Sequence, residues 1–139
     1  MDMWDGATAA RDRLFGAIED SKTGNVIVLS GDIHSNWAGE LKKEFFDERS
    51  ATLGVEFIAT SITTNGDGHD INDNDRKRMA KQPYVKFFNN QRGYARHIVT
   101  PACWEVDFRV LDKVTIPDGR ISMRMRLVVE NGKSAITQA

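Results

Sequence analysis

The stretch VIVLSGDIHSNWA, residues 26–38, decides how this chain is read. Val26, Ile27, Val28 and Leu29 form a short continuous apolar run, β-branched and bounded by turn residues. That is the pattern of a strand covered on both faces, so it is predicted to lie inside a sheet. The run passes directly into Gly31, Asp32 and His34. In open α/β sheets, ligands gather beyond the carboxyl ends of strands, where loops line the crevice. Gly31 permits a sharp turn, and if extended geometry persists through Ile33, alternation projects Asp32 and His34 to the same side. A carboxylate beside an imidazole suits a divalent or trivalent metal, which takes the charge of one and the lone pair of the other. It suits a carboxylate-oriented general base equally well. A purely structural reading fits the same residues, with Asp32 capping a turn and His34 a satisfied, half-buried histidine.

Upstream of this stretch, Thr8 is placed to cap a helix. Ala10, Leu14, Ala17 and Ile18 then recur at spacings of three and four, which predicts a helix over residues 9–20 that Gly24 ends. Downstream, residues 37–46 are ambiguous: Leu41, Phe45 and Phe46 suit a helical stripe, while the charges between them suit an irregular segment. VEFIATSI, residues 55–62, reads as a second buried strand, and TTNGDGHDINDND after it reads as a long surface loop. A short helix is predicted over residues 75–81, stopped by Pro83, with Arg76, Lys77 and Arg78 on a solvated face. Residues 94–99, 105–111 and 121–130 favour extended chain. In the last of these, Ile121, Met123, Met125, Leu127 and Val129 alternate with mostly polar neighbours, and Pro117, Asp118 and Gly119 form a turn before it. There is no repeat, linker or low-complexity tract, so residues 1–139 read as one α/β unit with a mainly antiparallel C-terminal strand set.

Composition narrows the functions. With 139 residues, 40% hydrophobic and 28% charged, the chain suits one globular domain. Its 19 Lys and Arg nearly balance 20 Asp and Glu, so no global field draws nucleic acid or a membrane surface. No apolar run approaches the roughly 20 residues of a bilayer span. The start, MDMWDG, has neither a basic n-region nor a cleavage site, so the compartment is unread. A single cysteine, Cys103, excludes an internal disulfide framework and a zinc ribbon, and reads as a small buried apolar residue.

Other candidates are weaker. His69 lies among acids in the loop and is expected to be solvated, and His97 alternates within a strand as a structural residue. DINDND, residues 70–75, resembles a calcium loop but places Asp75 where an EF-hand needs glycine and Lys81 where it needs glutamate. No nucleotide-binding glycine motif and no serine-hydrolase elbow is present. In KFFNNQRGYAR, residues 86–96, Arg92 offers a bidentate fork for phosphate, and Asn89 or Asn90 an oxygen to orient a ligand or metal. The preferred reading is plainer: a turn leading into a strand, with Phe87, Phe88 and Tyr94 in the core and the arginines solvated. MWDGA, residues 3–7, is read as an approach to the first helix with Trp4 packed on the domain.

Taken in order, WDG, NVIVLSGDIHSNWAGELK, VEFIATSIT and PYVKFFNNQRGYARHIVTPACWEVDFRVLDKVT resemble the C-terminal part of the alkaline phosphatase D (PhoD-like) family of calcineurin-type metallophosphoesterases. The resemblance implies a sheet sandwich flanked by helices, and a multimetal site, with iron and calcium, that activates water on a phosphate mono- or diester. The family's G-D-x-H signature falls on Gly31, Asp32 and His34 and implies that Asp32 and His34 belong to the metal site. Asn36 and Trp37 are then neighbours shaping that loop. W-D-G-Y falls on Trp4, Asp5 and Gly6, with Ala7 where the tyrosine stands. N-x-R-G-Y falls on Asn90, Arg92 and Tyr94, and Asn90, Arg92 and Asp5 join the pocket candidates. The family's earlier aspartates and its Asn-His motif have no counterpart here. The chain is therefore expected to be a truncated C-terminal portion, inactive alone, whose uncovered edge or apolar face takes an N-terminal half or a second copy. The competing expectation is a non-catalytic module that docks a partner chain.

Overall fold

The computed structural model describes residues 4–139, and of Asp5 the backbone alone. A single 3-10 turn, Trp4–Gly6, leads into α1 (Thr8–Asp20). There follow β1 (Ile27–Ser30), β2 (Asn36–Lys42), β3 (Thr52–Ile58), α2 (Asp73–Met79), β4 (Val85–Asn89), β5 (Gly93–Val99), β6 (Cys103–Leu111), β7 (Ile121–Glu130) and β8 (Thr137–Gln138). Two four-stranded sheets result. The first has the order β1-β3-β2-β4, with β1 parallel to β3 and the other pairs antiparallel; the second is the antiparallel meander β5-β6-β7-β8. This is the α/β sheet sandwich with an antiparallel C-terminal set that the sequence predicts.

The core lies between the sheets. Ala38, Val55, Phe57 and Phe87 from the first meet Val106, Phe108, Leu127 and Val129 from the second. Val55 and Phe57, Val106 and Phe108, and Leu127 and Val129 are each one position apart on their strands, which is strand alternation delivering one face to the interior. Phe108 sits at the centre, its ring 4.8 Å from Phe87 and 6.4 Å from Phe57. His97 closes one end of this layer: it accepts the Trp104 Nε1 hydrogen bond at 2.9 Å, and burial pushes its pKa down. It is a structural histidine, as expected.

Several local expectations are corrected. The strand of residues 26–29 is not inside the sheet among the described residues, since β1 pairs with β3 alone and Leu29 is 53% exposed. An apolar run reports hydrophobicity on both faces but says nothing about partners along the edge. Thr8 begins α1 instead of capping it; the cap position is Ala7, which has no capping side chain. Trp4 is 53% exposed and Tyr94 41%, so neither is packed as predicted. Of the ambiguous segment, residues 37–42 belong to strand β2 and residues 43–46 are irregular, and β4 and β8 carried no strand expectation. Among the described residues, no helix is long and apolar enough to cross a membrane.

The outer face of the second sheet carries a three-residue ladder. Asp107, 1% exposed, stands directly between Arg96 on β5 and Arg126 on β7, with N–O distances of 2.5 and 2.6 Å. The Arg126 hydrogen bond leads, with Arg96 adding to it, in holding the Asp107 carboxyl down at about 2. A folded-state value below the unfolded one means stability that is present above pH 4 and is lost as pH falls toward 2. Allowing for the partial exposure of both arginines, the ladder is worth roughly 1–2 kcal/mol. Asp107→Asn is expected to cost that amount in urea unfolding at pH 7 and much less at pH 2.5. A difference that stays constant with pH would refute the assignment.

Candidate active site

At the carboxyl end of β1 the backbone turns sharply. The Ile33 N–H donates to the Gly31 carbonyl at 2.9 Å, closing a three-residue turn centred on Asp32, whose φ is 72°. His34 follows at φ 52°. Extended geometry therefore stops at Ser30, and the alternation argument for the two side chains fails: their relative placement is set by this turn. Asp32 is exposed, whereas His34 is half-buried and lines an open cleft of about 490 Å³ whose lining does not include Asp32. Left-handed backbone at two non-glycine residues costs on the order of 1 kcal/mol or more each, although Asp and His tolerate it better than most. Something must hold it in place.

That element is Arg92, 1% exposed, on the turn before β5. Its Nη1 donates to the His34 carbonyl at 2.7 Å, the Thr64 carbonyl at 2.9 Å and Ser61 Oγ at 3.1 Å. Its Nη2 donates to the carbonyl and side-chain oxygens of Asn90. Burial pushes the Arg92 pKa down, yet arginine remains charged at any ordinary pH. The reading of this arginine as solvated is corrected, because its fork is occupied by the chain's own acceptors and it is not part of the cleft lining.

Beneath the turn lies a buried amide cluster. Asn36 and Asn89, both 0% exposed, face each other across β2 and β4, with Asn36 Nδ2 donating to Asn89 Oδ1 at 3.3 Å. Asn36 Oδ1 accepts from the Thr60 N–H at 3.1 Å, and Asn89 Oδ1 from the Gln91 N–H at 2.9 Å. These bonds tie the ends of β2, β3 and β4 together behind the cleft. Trp37 pairs with Phe88 on the next register position, ring centroids 4.5 Å apart, and its Nε1 donates to Ser35 Oγ at 2.7 Å.

The part of the lining that α2 and the loop before it supply was not recognised from sequence. Arg78 of α2 lies over both rings, 5.0 Å from Trp37 and 4.7 Å from Phe88. It also donates to Asp75 Oδ1 at 3.2 Å. Asp75 completes a capping box with Asn72 and accepts His69 Nε2 at 3.0 Å on its other oxygen. His34, Asn65, His69, Asp75, Arg78 and Asn90 thus share one cleft. Asn65 Nδ2 and His34 Nδ1 are 3.0 Å apart. The N-x-x-D spacing at Asn72 and Asp75 is a visible capping signal that could have placed α2 and its neighbours here.

Residues 1–108 match the profile of the PhoD-like phosphatases. The chain belongs to the PhoD-like phosphatase family. It is 39% identical over 136 residues to alkaline phosphatase D of Bacillus subtilis (strain 168), a match that takes in 98% of this chain and 23% of that protein. It is also similar to a solved structure described as "Structure of PhoD", with a TM-score of 0.92, 38% identity, and coverage of 99% of this chain and 26% of that one. The chain therefore spans about a quarter of the length of the PhoD-like relatives it matches.

Within this PhoD-like chain, His34, Trp37 and Asn90 line the cleft, while Asn36 and Arg92 are buried behind it. Asp32 stands outside the lining, and the side chain of Asp5 lies outside the described residues. Among the described residues, no three His, Cys, Asp or Glu side chains come close enough to hold a metal ion. The donors present do not by themselves fit a multimetal centre, which must clamp a phosphate and acidify a bound water.

Proposed function

We propose that this chain supplies one wall of a phosphoesterase site that hydrolyses phosphate mono- or diesters, and that it has little or no activity alone. What carries the reading is the strained turn at the end of β1, held by a buried arginine so that His34 opens on a polar cleft in a member of a phosphatase family. Strained backbone persists where the surroundings over-determine it, and such places cluster at functional sites. Asp32 and His34 are assigned as ligands of a metal site completed by residues beyond those described. The metals, iron and calcium by resemblance, belong to the assembled protein. The residues here make too small a donor set to derive any step through them.

The free edge of β1 supports a companion reading in which further polypeptide is laid against this strand. Its backbone groups on that side have no strand partner among the described residues, and Leu29 and Ile33 are exposed beside them. An open strand edge with apolar neighbours is a template for pairing. The proposed occupant is the upstream part that the longer relatives possess, or else a second copy of this chain. A well-folded monomer on size exclusion, with no affinity for that upstream part, would count against it.

The purified chain is expected to give no turnover of p-nitrophenyl phosphate above background with any added metal, and robust metal-dependent turnover would overturn the proposal. In a complete-length protein, His34→Ala is expected to lower both bound metal and turnover. Unchanged metal content and rate would reject the ligand role.

A further inference from the structure

The cleft that His34 lines holds a second imidazole, whose two nitrogens have different surroundings. His69 Nε2 lies 3.0 Å from Asp75 Oδ2, while Nδ1 has no hydrogen-bond partner among the described residues. The His69 side chain is 44% exposed and lines the cleft; the Asp75 carboxylate is 11% exposed. Two further contacts fix that carboxylate. Its Oδ2 accepts the Asn72 N–H at 3.1 Å, its Oδ1 accepts Arg78 Nη2 at 3.2 Å, and Arg78 is in turn held over Trp37 and Phe88.

The backbone of His69 is fixed as well. Its carbonyl accepts the Asn90 N–H at 3.1 Å, and the preceding Gly68, at φ +72°, lies so close to Asn90 that a Cβ there would meet the Asn90 carbonyl oxygen at 1.8 Å. A histidine kept only to fill space has no need of an oriented carboxylate on one nitrogen and no partner on the other.

We infer that His69 is the general acid that protonates the leaving oxygen of the phosphate ester, with Asp75 as its positioning residue. The inference rests on the phosphoesterase reading of the cleft. In the step, water oxygen bonds to phosphorus as the bond from phosphorus to the leaving oxygen breaks. The electron pair of that bond goes to the leaving oxygen, which takes the proton from His69 Nδ1 and departs as alcohol. The proton lost by the water passes to solvent, and His69, still donating Nε2–H to Asp75, is reprotonated from solvent. Asp75 fixes which nitrogen faces the ester and stabilises the imidazolium before transfer.

A general acid matters in proportion to how badly the leaving group needs a proton. In the complete-length protein, His69→Gln is expected to lower turnover of an alkyl phosphate about 100-fold or more, and that of p-nitrophenyl phosphate only a few-fold. Asp75→Asn is expected to show the same selectivity with a smaller loss. Equal losses on both esters, or no loss on the alkyl ester, would overturn the assignment. His34→Ala separates the two readings: it lowers both esters alike if the cleft is the site, and leaves both untouched if it is not. The chain itself supplies a readout independent of turnover. Imidazole nitrogen NMR is expected to show the neutral ring of His69 protonated at Nε2, with that preference weakened in Asp75→Asn; an Nδ1-protonated ring in the unaltered chain would sink the proposal.

Discussion

Arg92→Ala is expected to lower the unfolding free energy by about 3 kcal/mol or more, because several neutral acceptors lose a charged donor at once. The substitution strands the carbonyls of His34, Thr64 and Asn90 together, each of which Arg92 now satisfies. A buried acceptor left without a donor costs roughly 1–3 kcal/mol, and water entering the vacated space recovers part of that. Arg92→Lys is expected to rescue little, because one ammonium cannot reproduce a planar fork that bonds on both nitrogens. Urea unfolding measures it: a lowered midpoint with an unchanged slope is the expected result. A loss below about 1 kcal/mol would show that the turn at residues 31–34 is held by something else.

Gly93→Ala is the second large effect. At φ +153° this glycine lies against β6 so closely that an added Cβ would sit 2.0 Å from the Arg109 carbonyl oxygen and 2.9 Å from Val110 Cα. Both neighbours are backbone and cannot swing aside, so β5 and β6 must separate where they begin to pair, at Gly93 and Val110. A loss of roughly 3 kcal/mol or more is expected, from the strained backbone and the overpacking together. Gly66→Ala is the control. Its φ is also left-handed, +68°, but nothing lies within 4 Å, so it should lose only about 1 kcal/mol. Equal losses at the two positions would mean that conformation alone, and not the close approach to Arg109, sets the cost.

These two neighbours show how far the sequence could be read. The N-x-R-G-Y segment was legible as a family motif, and Phe87 and Phe88 as core, both being buried. The role of Arg92 was not legible, because its acceptors are carbonyls from residues 34, 64 and 90, and main-chain atoms leave no mark in a sequence. The strand pattern of residues 121–130 came through because its alternation is regular over ten residues, matching β7. β2 did not, since Ala38 and Gly39 are too small to signal a face and the charges of Glu40 and Lys42 mask the rest. Asp32 and His34 were picked out correctly as residues at a strand end, but the left-handed turn between them could not be foreseen from a glycine that itself keeps an ordinary φ. His69 and Asp75 were both named and assigned to a loop and a helix start; their pairing spans the junction of the two.

Asp67 links the loop that carries His69 to the hairpin between β6 and β7. Its carboxylate accepts the Val114 and Thr115 N–H groups at 2.7 and 2.9 Å, and these backbone bonds lead in holding its pKa down. The hairpin between β6 and β7 is therefore a buttress for one rim of the cleft, although none of its own side chains line that cleft. Insertions or deletions between residues 112 and 120, a surface turn that sequence comparison would treat as tolerant, would alter the pitch of the histidine loop.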